Sequence, residues 1–492
     1  MPDHSYRLGI ALDGDHVSGA LADADGDIVA VTTHRLDGCP TPDGAVTAVL
    51  YSFLANGGAV RKIDRVAFAI SELDKYVVFP QQASADHHPW SDVLGPIAVL
   101  RLGAATTAVP PLALWPRDFR DQVVLASTTV AGGARLDGTE LEPLDEDALT
   151  DFARSVAGRV KAVAVTGVFA TLTPDHELAA AAILERELGG VPLVLSHEIG
   201  GNGLLERENA TVLQAALTLP AGRDAAKLQD MLVQHDLGHA EVFFARNDGT
   251  IAAIDHAATH PLALYGGSAA ATVRGAARLA GEQDALVALT NGCGVVHAVC
   301  AVTAGQPRLT AGHTTIAGVP TSLRVIARVP VRAAEPTTVD VRAMTEAVDR
   351  AKIAPGDLPL LLGGPGAEDL ATALPLRLTG TLGVRCPPWA SAAAAVGVAT
   401  APVGGEAERI MPVRGAEESM RSIREAVSET ARAAAVRAGA DPQRARTKLI
   451  EETPLSYLSE PAVALRARAE GPPRPGVATV AGDPGTRRVA TR

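Results

Sequence analysis

The sequence predicts an α/β chain of two similarly built halves facing a cleft, followed by a small α+β segment. Three observations carry this. Residues 7–31 read as strand, aspartate–glycine turn, strand, and ALVALTNGCGVVHAVCAVTAGQPR repeats that design from residue 285. From residue 143 helix and strand alternate, as parallel βαβ connections require. Near 360, PLLLGGPGAEDLATAL runs from a strand through a glycine-rich turn into a helix, which brings backbone N–H groups toward an anion.

The elements follow in order. RLGIAL, SGALAD and DIVAVTT are three short strands of a meander. PDGAVTAVLYSFLANGG is a helix that Asp43 can cap, with Val46, Val49, Leu50 and Phe53 at helical spacing. IDRVAFAI, PIAVLRLG and QVVLAST are strands, the last two set among proline-rich loops. PLDEDALTDFARSVAGR, KAVAVTGVF, TPDHELAAAAILERELGG and PLVLSHEIG alternate helix and strand. LLERENATVLQAALTL is a helix with Leu204, Leu205, Val212, Leu213 and Ala216 near one face. AEVFFARNDGTIAAID is a hairpin around the NDG turn, and SAAATVRGAARLAG is a helix. A helix with Met420, Ile423, Val427, Ala431 and Ala434 on one face stops at AGADP, and LSYLSEPAVALRARAEG is strand material. The proline- and glycine-rich end, from about 473, reads as disordered.

The 492 residues carry a formal net charge of -12, which excludes a general nucleic-acid binder. The basic residues of RGAEESMRSIREAVSE and RARTK are mixed with acids and read as a solvated helix face. Aromatics make up 3%, too few for a base-stacking platform. The four cysteines, Cys39, Cys293, Cys300 and Cys386, form no CxxC, which points to a reduced, cytoplasmic setting. No apolar run is long enough to span a bilayer, and MPDHSYR does not begin like a signal peptide.

Isolated motifs are weighed against plain structure. HDLGH places His235, Asp236 and His239 at metal-ligand spacing, but its glycine and the strand after it make it a loop. Cys293, His297 and Cys300 lie on a strand where residue 300 points away from the other two, so no metal is expected there. No GxSxG elbow occurs. Ser196, His197 and Glu198 end a strand, and Arg207, Glu208 and Asn209 open the next helix. Such a strand end faces the crevice where α/β proteins bind ligands, so these six residues are the cleft candidates. The structural alternative is that Ser196 and Glu198 cap, and that residues 206–209 form an interdomain polar network.

SHEIGGNGLLERENATVLQAAL resembles the hydantoinase A/oxoprolinase family in its shorter form. AGGARLDGTELEPLDEDAL, VTGVFATLTPDHELAA, ARNDGTIA, GQPRLTAGHTTIAGVPTSLR, LLGGPGAEDL and VGGEAERI agree in the same order, over nearly the whole chain. The resemblance implies a duplicated actin-like, sugar-kinase-like (RNase H-like) ATPase fold. It divides the chain into halves at 1–190 and 191–407, an α+β segment at 408–472 and a tail at 473–492. It implies ATP and magnesium as cofactors, hydrolysis of cyclic amides such as hydantoin or 5-oxoproline, and a B-type partner subunit. A homo-oligomer and a small-molecule ligand are compatible with it.

The sequence departs from the family at its loops. The first loop of the pattern DxGGTxTD falls on Ala11, Asp13, Gly14, Asp15, Val17 and Ser18. The second falls on ALTNGCGV, with Ala288 and Val295 at the aspartate positions, Asn291 and Gly292 in the turn, and Cys293 at a threonine position. The third, Gly363, Gly364 and Gly366, reads GGPG where the family has GGGS. AISELDKYV and ARVPVRAAE are also changed. Phosphoryl transfer rests on positioning and charge compensation. An added carboxylate facing a phosphate costs about 4 kcal/mol per unit-charge pair at ~4 Å and an effective dielectric of ~20. LDGDH is therefore read as a plain Asp–Gly turn. A nucleotide loop, and a metal site through Asp13 and Asp15, are the alternatives. Two functions follow: an ATP-dependent cyclic-amide hydrolase or a subunit of one, or a catalytically silent binding or scaffolding subunit.

Overall fold

The computed structural model describes residues 5–36, 41–55, 62–70, 94–104, 109–292, 295–316, 318–332, 340–412, 417–455 and 462–474. The AISELDKYV stretch beyond residue 70, Cys39, Cys293 and the end of the chain after 474 lie outside them.

Strands β1 (Tyr6–Asp13), β2 (His16–Ala22) and β3 (Ile28–Arg35) form the antiparallel meander. After α1 (Pro42–Ala55), β4 (Ile63–Ile70) lies parallel to β1. Thr41, not Asp43, caps α1: its hydroxyl accepts the Gly44 N–H at 3.2 Å, and Asp43 sits in the first turn. Side-chain alternation along β1 separates two cores. Leu8, Ile10 and Leu12 pack with Val46, Val49 and Phe53, whereas Ala11 joins an alanine-rich cluster on the other face.

The next elements are β5 (Ile97–Gly103), α2 (Arg117–Val123), β6 (Val124–Ala131), α3 (Glu146–Val156), β7 (Ala162–Gly167), α4 (Asp175–Leu188) and β8 (Leu193–Leu195). The four strands form a parallel sheet in the order β6-β5-β7-β8. Its strands are nearly continuous apolar runs because both faces are covered. Helices α3 and α4 pack on one face, around Leu149, Val156 and Leu184. Helix α2 packs on the other, where Phe119 stacks on Trp115 with ring centroids 4.2 Å apart.

Two expectations fail here. PLVLSHEIG was expected to be strand throughout, but the strand stops at Leu195 and Ser196–Ile199 make one helical turn, α5. The reason is Glu177, which draws in the His197 N–H and both neighbouring side chains. The next helix, α6 (Leu204–Gln234), does not stop before Pro220 but runs 31 residues through it. Proline forfeits one backbone hydrogen bond. Burial of Pro220 with Ala221, and strong helix formers on both sides, offset that loss.

Then come β9 (Glu241–Ala245), β10 (Ile251–Ala253), α7 (Ile254–Thr259) and α8 (Gly267–Ala280). The NDG hairpin is present, with Ala245 opposite Ile251. The second meander is β11 (Ala285–Thr290), β12 (Val296–Thr303) and β13 (Gln306–Pro307). Short strands β14 (Thr314–Ile316), β15 (Val319–Thr321) and β16 (Val329–Pro330) follow, then α9 (Val341–Ala351), β17 (Leu358–Gly363), α10 (Ala367–Ala373) and β18 (Thr381–Arg385). Helix α11 (Ala393–Thr400) leads to β19 (Val403–Pro412), α12 (Glu417–Arg437), β20 (Arg446–Pro454) and β21 (Ala462–Gly471). The buried face of α12 carries Val427, Ala431, Ala435 and Ala438, so Ala435 takes the place expected for Ala434. RARTK lies at the start of exposed edge strand β20 rather than on a helix face.

The chain is thus a mixed α/β protein with several sheets. The largest has nine strands, ordered β20-β21-β19-β10-β9-β4-β1-β2-β3, and so draws on residues either side of 190 and of 407. Another runs β13-β12-β11-β17-β18, with β16 beside β12. Both contain one pattern: a three-stranded antiparallel meander whose first strand neighbours two further parallel strands. Helices α8 and α11 pack together between these two sheets. A Cβ on Gly275 would strike the Ala393 carbonyl, and one on Gly397 the Ala271 carbonyl. Their backbones therefore touch where they cross.

Candidate functional site

The fold brings the three glycine-bearing loops to one junction. Asp13 pairs with His16 across a two-residue turn, Gly14–Asp15, with Gly14 at φ +60°. A Cβ on Gly292 would overlap the His16 ring, so the first loop rests on the second. Gly364, at φ +114°, approaches the Thr290 carbonyl, and the Thr290 hydroxyl donates to the Gly363 carbonyl at 3.3 Å. The third loop therefore rests on the second as well. Asn291 closes its own loop, its Oδ1 accepting the Val295 N–H at 3.2 Å.

The chemistry of this junction is acidic, and the His16 ring covers its second loop at Gly292. Asp15 is held outward by the Arg35 Nε at 2.7 Å and by the His16 ring at 2.6 Å. The hydrogen bond from Arg35 lowers its carboxyl pKa, and the bond from His16 adds to this. Asp13 reaches solvent on one side, yet the protein crowding its other side raises its carboxyl pKa; His16 opposes that and Asp15 adds to it. Ser18 is buried in β2. Ala11 and Ala288, at the family's aspartate positions, are 3% and 0% exposed in apolar clusters. Gly366 opens α10, whose first turn holds its own Glu368 and Asp369. Those carboxylates already use the positive end of the helix. Magnesium–ATP held by loop aspartates does not fit these residues, because methyl groups stand at the carboxylate positions and an imidazole covers Gly292. Among the described residues no group of three or more His, Cys, Asp or Glu is arranged to hold a metal ion.

Three of the six cleft candidates, Ser196, His197 and Arg207, gather at the C-terminal edge of the parallel sheet around a residue the sequence reading missed. Glu177, 1% exposed in α4, accepts four hydrogen bonds. Its Oε1 takes the Gly167 N–H at 2.6 Å and the Ser196 hydroxyl at 2.5 Å. Its Oε2 takes the His197 N–H at 3.0 Å and lies 2.7 Å from His197 Nδ1. A carboxylate can only accept, so Nδ1 carries a proton, and in the neutral ring Nε2 is then the acceptor. Arg207 backs the array, donating to the Ser196 hydroxyl at 3.0 Å and to the carbonyls of Gly201 and Gly167 at 3.0 and 2.7 Å. Burial lowers the Arg207 pKa, opposed first by Glu177. The hint of Glu177 in the sequence is a carboxylate placed directly before the apolar run LAAAAI of its helix.

Glu208 and Asn209 point elsewhere. Glu208 forms a two-pronged pair with Arg101 of β5 at 2.7 and 2.8 Å, with both side chains buried. Asn209 accepts the Trp115 indole N–H at 2.8 Å and donates to the Pro320 carbonyl at 2.8 Å. These two tie α6 to the sheet and to the β14–β15 hairpin. Glu198 is exposed and acts on the charge of His260, whose ring stacks on His256 with centroids 4.1 Å apart. Beside them, a Cβ on Gly200 would meet Glu408 at 3.7 Å. Burial raises the Glu408 carboxyl pKa, while Arg466 and Arg324 oppose the rise. Within HDLGH, His235 bonds Asp43 at 3.0 Å in a loop, as read from the sequence. Cys300 is buried, and burial pushes its thiol up to about 12.

Residues 114–188 match the model of the hydantoinase/oxoprolinase N-terminal region, so the parallel-sheet unit carries the resemblance read from the sequence. No curated protein sequence matches the chain. Among solved structures, the chain is similar to the ATP-dependent caprolactamase of Pseudomonas jessenii, with a TM-score of 0.65 at 16% identity. That match covers 96% of this chain and 89% of the other. It is also similar to a nucleotide-free acetone carboxylase structure, described with the mechanism of ATP-dependent acetone carboxylation. There the TM-score is 0.61 at 14% identity, covering 95% of this chain and 88% of the other. At such identities the likeness is one of fold. Among the described residues no helix is long and apolar enough to cross a membrane.

Proposed function

We propose that the chain is a hydantoinase/oxoprolinase-type subunit acting on a cyclic amide or similar lactam at the C-terminal edge of its parallel sheet. In this reading the two sheets that share a meander pattern are the halves of an actin-like ATPase fold. The junction of Gly14, Gly292 and Gly364 then occupies the place of its nucleotide site. The observation that carries the reading is the Glu177–His197 pair, with Glu177 inside the family-matched residues 114–188 and His197 just beyond them: a buried carboxylate fixes one ring nitrogen and, in the neutral ring, leaves the other as an acceptor. Hydrolysis needs a base that takes a proton from water as its oxygen attacks the carbonyl carbon. The same group then returns that proton to the ring nitrogen as the C–N bond breaks. His197 Nε2 suits that shuttle, and Glu177, Ser196 and Arg207 are its positioning residues.

The second reading, a binding or scaffolding subunit without turnover, is favoured by the loop junction, where buried Ala11 and Ala288 stand at the family's aspartate positions. Both readings are tested together. The purified chain is titrated with magnesium–ATP, and hydrolysis of hydantoin, 5-oxoproline and caprolactam is followed with and without it. The proposal expects turnover of at least one ring, lost in His197→Gln with the fold intact, and weak or absent nucleotide binding. Turnover unchanged in His197→Gln would remove His197 from the mechanism. No turnover of any ring, with no nucleotide binding, would leave the scaffolding reading.

A further inference from the structure

A second cleft lies between the two large sheets. Its walls are helix α8, the β12–β13 turn with the residues after it, and strands β20 and β21. Its volume is about 960 Å³, at the upper end of small-molecule pockets. Six cationic side chains line it: Arg274, Arg278, Arg308, Arg324, Lys448 and Arg468. They face three carboxylates, a surplus of three positive charges in a chain whose net charge is -12.

The carboxylates are already engaged. Glu470 pairs with Arg274 at 3.7 Å, Glu451 with Arg324 at 3.1 Å, and Glu282 with Arg385 at 2.6 Å. Arg308, Lys448 and Arg468 have no carboxylate within ion-pair distance among the described residues, and Arg278 donates to the Gly26 carbonyl. Glu470 also acts on Arg468 and Lys448, and Asp248 on Arg468, yet six cations facing three carboxylates leave the concavity in positive surplus. Like charges gathered in this way repel, and an anion placed among them relieves that repulsion.

We propose that this cleft binds a small polyanion carrying several phosphate or carboxylate groups. The guanidinium groups suit planar or tetrahedral oxyanions. No aromatic ring lines the cleft among the described residues, so nothing there stacks a base, and a nucleic acid or a nucleotide base is not the feature recognised. The overall negative charge repels a long polyanion but leaves a local, salt-sensitive site for a short one. Because Lys448 and Arg468 belong to the nine-stranded sheet while Arg308 follows β13 of the other, the ligand bridges the two.

The test is calorimetric titration of the full chain with inorganic pyrophosphate and with citrate, at near-physiological ionic strength, against a matched salt control. The two anions separate a phosphate from a carboxylate ligand. Saturable binding of at least one is expected, weakened at least about tenfold in the Arg308→Gln/Lys448→Gln double variant, whose altered side chains are exposed. Hydrogen exchange on the wild-type chain locates the site without any variant. Added anion should slow exchange over residues 303–311 and 446–453. Heats equal to the salt control for both anions, full affinity in the double variant, or protection confined to residues 13–16 and 363–366 would each overturn the proposal.

Discussion

The Arg101–Glu208 pair shows how a charged residue in a recognisable motif can serve the fold. Both side chains are buried, 2% and 1% exposed, and each is the other's direct ion-pair partner. Removing one leaves the other desolvated and unpaired. Glu208→Ala is therefore expected to cost about 3–5 kcal/mol in urea unfolding. Replacing both, as Arg101→Met/Glu208→Leu, should recover most of that loss, because two apolar side chains leave no charge stranded. A double variant as unstable as the single would mean that the shape of the pair matters more than its charge. His256 makes a separate point. Burial, then His260, Arg246 and Arg437, pull its imidazole from 6.5 down to about 2. Between those values the unfolded chain binds a proton that the folded chain refuses. Stability therefore falls as pH drops below 6.5, by about 1.4 kcal/mol per unit for this one group. Urea midpoints from neutral to mildly acidic pH should show the slope, and His256→Gln should flatten it by that amount.

The crossing of α8 and α11 rests on glycine in a way that a second glycine controls for. At Gly275 an added methyl meets backbone, the Ala393 carbonyl, which cannot move without parting the helices. Gly275→Ala is expected to destabilise by about 1–3 kcal/mol or more. Gly222 lies inside α6 with nothing near its absent side chain. There alanine restores helix propensity, and Gly222→Ala should stabilise by about 0.5–1 kcal/mol. Thermal melts of the two variants should move in opposite directions. The same elements show what was legible in advance. The meanders, the alternating α/β unit and the glycine turns announce themselves through period and turn residues, which are local. What overrode local signals were contacts from afar. Glu177 bends the chain after Leu195 from 18 residues upstream of that point, and burial carries α6 through Pro220. Trp115, Arg101 and Pro320, which consume Glu208 and Asn209, lie about a hundred residues away in sequence, so no spacing rule could reveal that role.

Taken as a molecule, the chain closes on itself through the nine-stranded sheet. The sequence reads as an α+β segment from about 408; the strands of that stretch pair into the large sheet, and strand order cannot be read from local pattern. Strand β19 pairs with β10 at Ile251–Val403, and β21 then pairs with β19 along ten residue pairs. Val403, Leu465, Ala467 and Ala469 share one buried cluster with Ala11, Ala67 and Ile251. Cutting the chain after residue 402 would therefore expose the edge of β10 and strip one wall from a core that includes the first strand. An unpaired edge beside exposed apolar surface favours aggregation. A fragment of residues 1–402 is expected to lose cooperative thermal unfolding and to bind a hydrophobic dye, and 403–492 alone should show no cooperative transition. Adding the second fragment to the first during refolding should restore the transition, since the interface between them is a continuous sheet. Two fragments that each melt cooperatively would mean that the C-terminal strands form a domain of their own and only lean on the larger sheet.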